Sequence, residues 1–284
     1  MSGTDRALRC AAVALLLASL AYAADNRKEF KFSLTPNGNI AISNANGPVS
    51  VKSGSGRQVS IVATTHSDKV AVEANQFGNR VDARTHTPDK SAGADTRVEY
   101  EVTVPNDVDV TIHGGEGDLR VEKMRSDVEI ESESGKVDVR EVSGGHVHVR
   151  TMSAPVSLSG VNNAHVEITT VSGDVTLKSV SGPFMNVNAG KGSISYDGDF
   201  GGAGEYTLLN NSGNIEVTVP ANASISLRAH SIRGSVENDF PLTAIPGMST
   251  NPNSQARSLM GTSNSGASSV DLRSFSGKIR VKKQ

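Results

Sequence analysis

The sequence is nearly free of cysteine and poor in aromatic residues. Its 284 residues include one cysteine, Cys10, no tryptophan, four tyrosines and seven phenylalanines. A single cysteine excludes disulfides within the chain and thiolate metal sites, which need several thiols. The formal net charge of −2 at pH 7 offers no basic surface for nucleic acid or anionic lipid, and few aromatic rings are present to stack on bases. We therefore expect no nucleic-acid partner.

Apolar runs of membrane-spanning length are also absent. Arg6 and Arg9 precede an apolar run of eleven residues, Cys10–Leu20, which is about half the length needed to cross a bilayer. The Ala-Tyr-Ala sequence at 21–23 then matches the small-x-small pattern that signal peptidase recognises. We interpret residues 1–23 as a signal peptide. The mature chain is then expected to be exported, without a transmembrane segment, and to be periplasmic, cell-envelope associated or extracellular.

The sequence does contain a repeat of short alternating segments, between about Gly117 and Tyr196. Successive segments are about nine residues apart, and apolar positions recur every nineteen residues. Alternation of apolar and polar residues is typical of strands with one buried face. The recurring apolar positions are Val137, Val156, Val175 and Ile194 in one set of segments, and Val128, Val147, Val166 and Met185 in the other.

A fixed period lets like residues stack one turn later, as a solenoid requires, whereas antiparallel sandwiches seldom keep such a period. The predicted fold class is all-β, a parallel β-solenoid (β-helix) with about 19 residues and two short strands per turn. A looser form of the pattern extends over residues 24–284, which we expect to form a single β-solenoid repeat domain. Two stretches without the pattern, near 82–96 and 240–269, are predicted to be long loops.

Four blocks of sequence carry a resemblance to a known family. They are NGNIAISNANGPVSVKSGSG, VEYEVTVPNDVDVTIHGGEGDLRVEK, the serial repeats SGKVDV and SGDVTL, and the closing SFSGKIRVKK. With these blocks the chain resembles the bacterial putative adhesin family, a domain of unknown function found in exported β-repeat proteins. The resemblance covers nearly all of residues 24–284 and implies an exported β-solenoid. The family has no established catalytic residues to carry over.

The nineteen-residue register predicts ladders of outward-facing side chains. Imidazoles and carboxylates on neighbouring strands are ligands for zinc or another divalent ion, which needs three or four of them at about 2.0–2.2 Å. The alternative is a solvated face on which opposite charges alternate, at about 0.2–1 kcal/mol per pair; we favour it, and no other cofactor is expected. The candidate metal ligands are Asp127, His146 and His165 in one ladder, and Glu129, His148 and Glu167 beside them.

Parallel β-helices also include polysaccharide lyases and hydrolases, which cluster acidic residues with Arg, Lys or His on one face. The acidic residues of this repeat are instead scattered over different strands, and the sequence has no G-x-S-x-G motif. We therefore expect no enzyme and assign no catalytic residue. The scattered acids are Asp118, Glu129, Asp138, Glu141, Glu167 and Asp174.

The predicted function is that of a non-catalytic exported envelope or extracellular protein, adhesin-like or scaffold-like. An extended solenoid face, or the loop near 240–269, would contact a protein or polysaccharide. The scarcity of tryptophan and tyrosine, on which sugar rings stack, favours a protein partner. Two alternatives stay open at this point: a β-helix polysaccharide lyase or hydrolase, and a structural or regulatory envelope component with no outside ligand.

Overall fold

Two long β-sheets make up the part of the chain that the computed structural model describes, which is residues 26–87, 95–244 and 256–284. Within those ranges no helix is long and apolar enough to span a membrane. The predicted signal peptide, residues 1–23, lies outside the described residues. The strands of the two sheets show the fold of the described residues.

Sheet A contains twelve strands and sheet B thirteen. The strands of sheet A are β1 (Asn26–Ser33), β3 (Val49–Ser53), β4 (Gln58–Thr65), β7 (Val98–Val104), β9 (Leu119–Glu122), β11 (Val137–Arg140), β13 (Val156–Asn162), β15 (Val175–Ser181), β17 (Ile194–Asp197), β19 (Ile215–Val219), β21 (Val236–Asn238) and β25 (Ile279–Lys283). The strands of sheet B are β2 (Asn39–Asn46), β5 (Ala71–Phe77), β6 (Arg80–His86), β8 (Asp109–Glu116), β10 (Val128–Ser134), β12 (His146–Ser153), β14 (His165–Ser172), β16 (Phe184–Lys191), β18 (Glu205–Ser212), β20 (Ile225–Ser231), β22 (Thr243–Ala244), β23 (Ser258–Ser263) and β24 (Ser268–Ser274).

The central part of the chain, from β8 to β19, alternates between the two sheets. Each turn adds one strand to each sheet, and neighbouring strands are parallel. The predicted β-solenoid with two strands per turn is confirmed. Residues nineteen apart are cross-strand partners, Val137 with Val156 and Val156 with Val175 in sheet A, and Val128 with Val147 and Val147 with Val166 in sheet B.

Inward-facing side chains of both sheets form an apolar core that extends along the solenoid. Val147 and Val166 are fully buried in it. His148, the residue after Val147 on β12, points outward and is half-buried. Each buried valine or isoleucine contributes about 1.5–3 kcal/mol. Because the core repeats with every turn, each sheet presents its other face to solvent as a regular array of polar side chains.

Both ends of the solenoid are closed by antiparallel strands, which the nineteen-residue period did not predict. At one end β1 pairs antiparallel with β4, β4 with β7, and β5 with β6. At the other end β23 pairs antiparallel with β20 and β22. An end strand of a stacked sheet exposes unpaired backbone groups, and charged residues on β1 such as Lys28 and Lys31 discourage the addition of another strand.

The two predicted loops both contain strand, so their predicted extents are wrong. β6 continues to His86, inside the 82–96 stretch, and the 240–269 stretch includes β22, β23 and the start of β24. In β23 the buried positions hold Leu259, Gly261 and Ser263. A Cβ atom at Gly261 would lie 2.9 Å from the Leu242 side chain, and Ser263 is polar, so only Leu259 keeps the apolar alternation that marks a strand in sequence.

Candidate functional site

Sheet B exposes a face on which charged and imidazole side chains form ladders across neighbouring strands. The strands are about 4.8 Å apart, and the parallel register aligns equivalent side chains from one turn to the next. These groups come from β8, β10, β12 and β14 and the residue before β10. We name this surface the histidine face; it consists of His113, Asp127, Glu129, Glu131, His146, His148, Arg150, His165 and Glu167.

The first predicted ladder is joined by direct contacts. The Asp127 carboxylate accepts a hydrogen bond from the His146 backbone N–H at 2.8 Å and lies 3.2 Å from the Nδ1 atom of the same residue. The rings of His146 and His165 are 4.9 Å apart at 82°, an edge-to-face contact. Phe184 extends the ladder, with its ring 6.2 Å from that of His165. The structure therefore brings these predicted residues together in the order that the register requires.

The second predicted ladder places His148 between two carboxylates. His148 on β12 is the register partner of Glu129 on β10 and of Glu167 on β14. His148 separates the two glutamates by one strand, so the like charges do not lie on adjacent strands, where they would repel each other more strongly.

A third ladder on the histidine face was missed in the sequence. Nδ1 of His113 lies 3.0 Å from Oε2 of Glu131, and Nη1 of Arg150 lies 3.9 Å from Oε1 of the same glutamate. His113 and Glu131 are eighteen residues apart, because the turn that joins their strands is one residue shorter than the nineteen-residue turns that follow. A search that allowed a turn of eighteen residues would have found the ladder.

Each contact on the histidine face joins two side chains. Among residues 26–87, 95–244 and 256–284, no group of three or more His, Cys, Asp or Glu side chains is placed to hold a metal ion. The divalent-ion site at the six candidate ligands is therefore still the less favoured of the two predictions, and the solvated face is the favoured one. With neutral histidines the face has four carboxylates against one guanidinium, so it carries excess negative charge.

The opposite face, on sheet A, is balanced by its own ion pairs. The Asp138 carboxylate is 2.7 Å from Nη2 of Arg140 and 3.3 Å from Nη2 of Arg120. Burial alone would raise the pKa of Asp138, but the hydrogen bond and charge of Arg140, with Lys136 and Arg120, outweigh it and hold that pKa below its ordinary value. The Asp138 carboxylate is therefore paired with two arginines of the same sheet.

Further ion pairs on sheet A lie nearer the C-terminus, where Lys282 is 2.7 Å from Glu216 and Lys278 is 2.8 Å from Glu237. Exposed pairs of this kind contribute little stability. They do satisfy the charged groups of the face locally. Sheet A consequently has less uncompensated charge than the histidine face to offer a partner.

An aromatic cluster inside the solenoid accounts for the strongly shifted tyrosines. The rings of Tyr196 and Phe200 stack at 4.3 Å with 2° between their planes, and the Tyr196 hydroxyl donates to the Val180 carbonyl oxygen at 2.8 Å. Burial raises the pKa of Tyr196 and also that of Tyr206. These phenols are neutral structural donors inside the core and do not face solvent.

Comparison with known proteins gives a family and a fold. The family model Toastrack DUF4097 matches residues 37–282, and no curated protein matches the chain. A putative adhesin from Bacteroides fragilis NCTC 9343 is similar in structure, with a TM-score of 0.51 at 12% identity, over 92% of this chain and 99% of that one. A putative cell adhesion protein from Clostridium sporogenes ATCC 15579 aligns over 91% and 100% at 10% identity, with a TM-score of 0.32. The Bacteroides structure shows the same fold.

Proposed function

The chain belongs to the Toastrack DUF4097 family, and from that membership we propose that it is an exported, non-catalytic, adhesin-like binding protein. The histidine face contacts a partner at the cell envelope or outside the cell. The family match confirms the resemblance to adhesin-like proteins predicted from the sequence blocks. The name putative adhesin belongs to the Bacteroides protein, and it supports a binding role for this one.

The observation that carries the proposal is the difference between the two faces. Sheet A pairs several of its acids with arginine or lysine, as at Asp138, Glu216 and Glu237. The histidine face keeps four carboxylates against one guanidinium on adjacent, in-register strands. Such a surface is rigid because its backbone is hydrogen-bonded on both sides, so a partner with complementary charge binds without ordering the protein first.

The environment of Asp138 differs from that of a general acid in glycoside cleavage. A glycoside-cleaving acid needs a raised pKa so that it keeps its proton at neutral pH. The pKa of Asp138 is lowered instead, because Arg140 stabilises the ionised form. Its environment suits a permanent ion pair, which is a structural role.

A protein partner suits the histidine face better than a polysaccharide does. Sugar rings pack their apolar faces on tryptophan and tyrosine, and the face is built from imidazoles, carboxylates and one guanidinium. The chain has no tryptophan, and Tyr196 and Tyr206 are buried. Charged and imidazole groups recognise a partner through hydrogen bonds and electrostatic complementarity.

Retention of envelope components on the immobilised protein tests the proposal, with two matched double variants. Glu129→Lys/Glu167→Lys reverses two carboxylates of the histidine face, on β10 and β14 of sheet B, and Glu122→Lys/Glu216→Lys reverses two carboxylates on β9 and β19 of sheet A. We expect saturable retention by the wild-type protein, loss of retention in the sheet B variant, and unchanged retention in the sheet A variant. Equal loss in both variants, or no retention by the wild-type protein, would contradict the proposal.

A further inference from the structure

A groove of about 850 Å³ lies at the end of the histidine face, where β2, β8, β10 and β12 leave sheet B. Its lining includes His113, Glu131 and Arg150, so it continues the third ladder of that face. A volume of this size accommodates a ligand of a few residues. The groove is a recess in an otherwise flat surface.

Two consecutive glycines form the floor of the groove. Gly114 is the register partner of Asn44 and of Ser132, so the neighbouring turns carry side chains where this turn has none. A Cβ atom at Gly115 would overlap the carbonyl oxygen of Ala45, and one at Gly114 would lie 2.9 Å from the Leu119 side chain. At Gly115 the backbone of the adjacent turn leaves no room for a Cβ atom, and at Gly114 the buried Leu119 side chain takes that space. Both glycines line the groove with backbone atoms alone.

The wall beside this floor is held in place by hydrogen bonds. The Thr85 hydroxyl lies 3.0 Å from Oδ1 of Asn44 and 2.9 Å from the Tyr100 hydroxyl. Asn44 is buried, and its Nδ2 donates to the Val98 carbonyl oxygen at 2.9 Å. Nδ2 of Asn46 donates to Oγ1 of Thr96 at 3.1 Å. A wall fixed in this way is preformed and loses little entropy when a ligand binds.

The charged groups of the groove are mostly acidic. Three glutamates, Glu116, Glu131 and Glu133, line it together with one arginine, Arg150. Glu131 contacts His113 and Arg150. Glu116 and Glu133 are exposed and make no ion pair with another described residue. Glu116 and Glu133 lie on adjacent strands one residue out of register, since Glu116 is the register partner of Ser134, and both line the groove. Two carboxylates without an ion pair in one groove favour a cation there.

The lining of the groove also includes an exposed apolar side chain. Met152, on β12, is 62% exposed at the edge of the groove. Methionine adapts its shape to an apolar surface, and the methylene stem of a lysine or arginine is such a surface beside a charged head. Carboxylates next to an exposed methionine therefore match the two parts of a long basic side chain.

We propose that the groove binds an extended segment of a partner protein that carries a lysine or arginine, with the cationic head on Glu116 and Glu133 and the stem against Met152. This inference rests on the proposed function, because it names the ligand chemistry of the same face. An amino sugar also carries an ammonium group, but its ring needs an aromatic platform, and none of the groups that line the groove is tyrosine, phenylalanine or tryptophan.

Fluorescence anisotropy with a labelled Ser-Val-Lys-Val-Ser peptide tests the inference on the full mature chain. Glu116→Gln/Glu133→Gln removes both charges with little change in shape, and Glu122→Gln/Glu216→Gln, the control, removes two charges from sheet A, on β9 and β19. We expect the groove variant to bind the peptide about fivefold more weakly and the control variant to stay within twofold of wild type. The same peptide with acetyl-lysine should lose binding to the wild-type protein by a similar factor.

Equal weakening in both variants would overturn the inference, as would equal binding of the acetylated peptide. Chitosan oligosaccharides that bind at the groove more tightly than the peptide would overturn the assignment to a protein segment. If the proposed function is wrong, the wild-type protein retains no envelope component in the retention experiment, which is a different result. If retention persists in the groove variant while the peptide assay shows no difference, the groove inference alone is wrong.

Discussion

Arg140 donates two hydrogen bonds to Asp138, two residues before it on β11, from Nε to Oδ1 at 3.0 Å and from Nη2 to Oδ2 at 2.7 Å. The Asp138 side chain is 5% exposed. The same Asp-x-Arg arrangement recurs on β24, where Arg273 donates to Asp271 at 3.0 and 2.6 Å and the aspartate is 18% exposed. The two pairs share a geometry and differ in the burial of the carboxylate.

Loss of the more buried carboxylate should cost more stability. We expect Asp138→Ala to lower the free energy of unfolding by about 1–3 kcal/mol, because a buried acceptor of charge-assisted hydrogen bonds is removed. Asp271→Ala, the control on β24, should cost less than about 1 kcal/mol. Urea unfolding followed by circular dichroism measures both. An equal cost at the two positions would show that burial of Asp138 has no energetic effect.

The contribution of Asp138 should depend on pH in a stated direction. Its folded-state pKa lies below the ordinary value, which is about 3.9 for aspartate. A lowered folded pKa stabilises the native state fully above the unfolded pKa, and this stabilisation is lost as pH falls through the folded pKa. The stability advantage of wild type over Asp138→Asn should be constant from pH 7 to about 5 and shrink below about pH 4. An advantage that grows in acid would contradict the lowered pKa.

A charge placed in the core should unfold the solenoid. Val166→Asp buries a carboxylate without a partner, and Val147→Asp does the same one turn earlier, at a cost of several kcal/mol. Circular dichroism should show loss of the β signal in both. His148→Ala, which alters the outward position next to Val147, should stay within about 0.5 kcal/mol of wild type. A folded Val166→Asp variant would mean that this position does not face the core.

Zinc should leave thermal stability unchanged. Asp127 contacts His146, and His146 contacts His165, but a zinc site needs three or four ligands around one point. We expect the melting temperature in zinc and in chelator to agree within error. A zinc-dependent increase that disappears in His146→Ala would contradict this expectation and assign the ladder as a metal site.

The sequence was sufficient for the central turns because their period is uniform. Val137, Val156 and Val175 are nineteen apart and stack as register partners, since each turn has the same length and an inward valine at the same place. The outward ladder of Asp127, His146 and His165 follows from the same register. On a regular strand, the register alone tells whether a side chain lies on the inward or the outward face.

The ends of the solenoid could not be predicted in this way. β3 pairs with β9 across an intervening segment that includes β4 and β7, so stacked residues there are not separated by one period. β24 lies between β18 and β20 in sheet B, an order that no local pattern encodes. Gly115 lines the groove, and the constraint that excludes a side chain there comes from the Ala45 carbonyl group of the adjacent turn, which the sequence alone does not reveal.

Incubation of a retained partner with the wild-type protein, followed by mass measurement of the partner, tests the central claim of binding without catalysis most directly. The account predicts saturable binding that is lost in Glu129→Lys/Glu167→Lys and a partner of unchanged mass after prolonged incubation. A partner that is shortened by the wild-type protein, and left intact by that variant, would show that sheet B carries a catalytic site and would contradict the account.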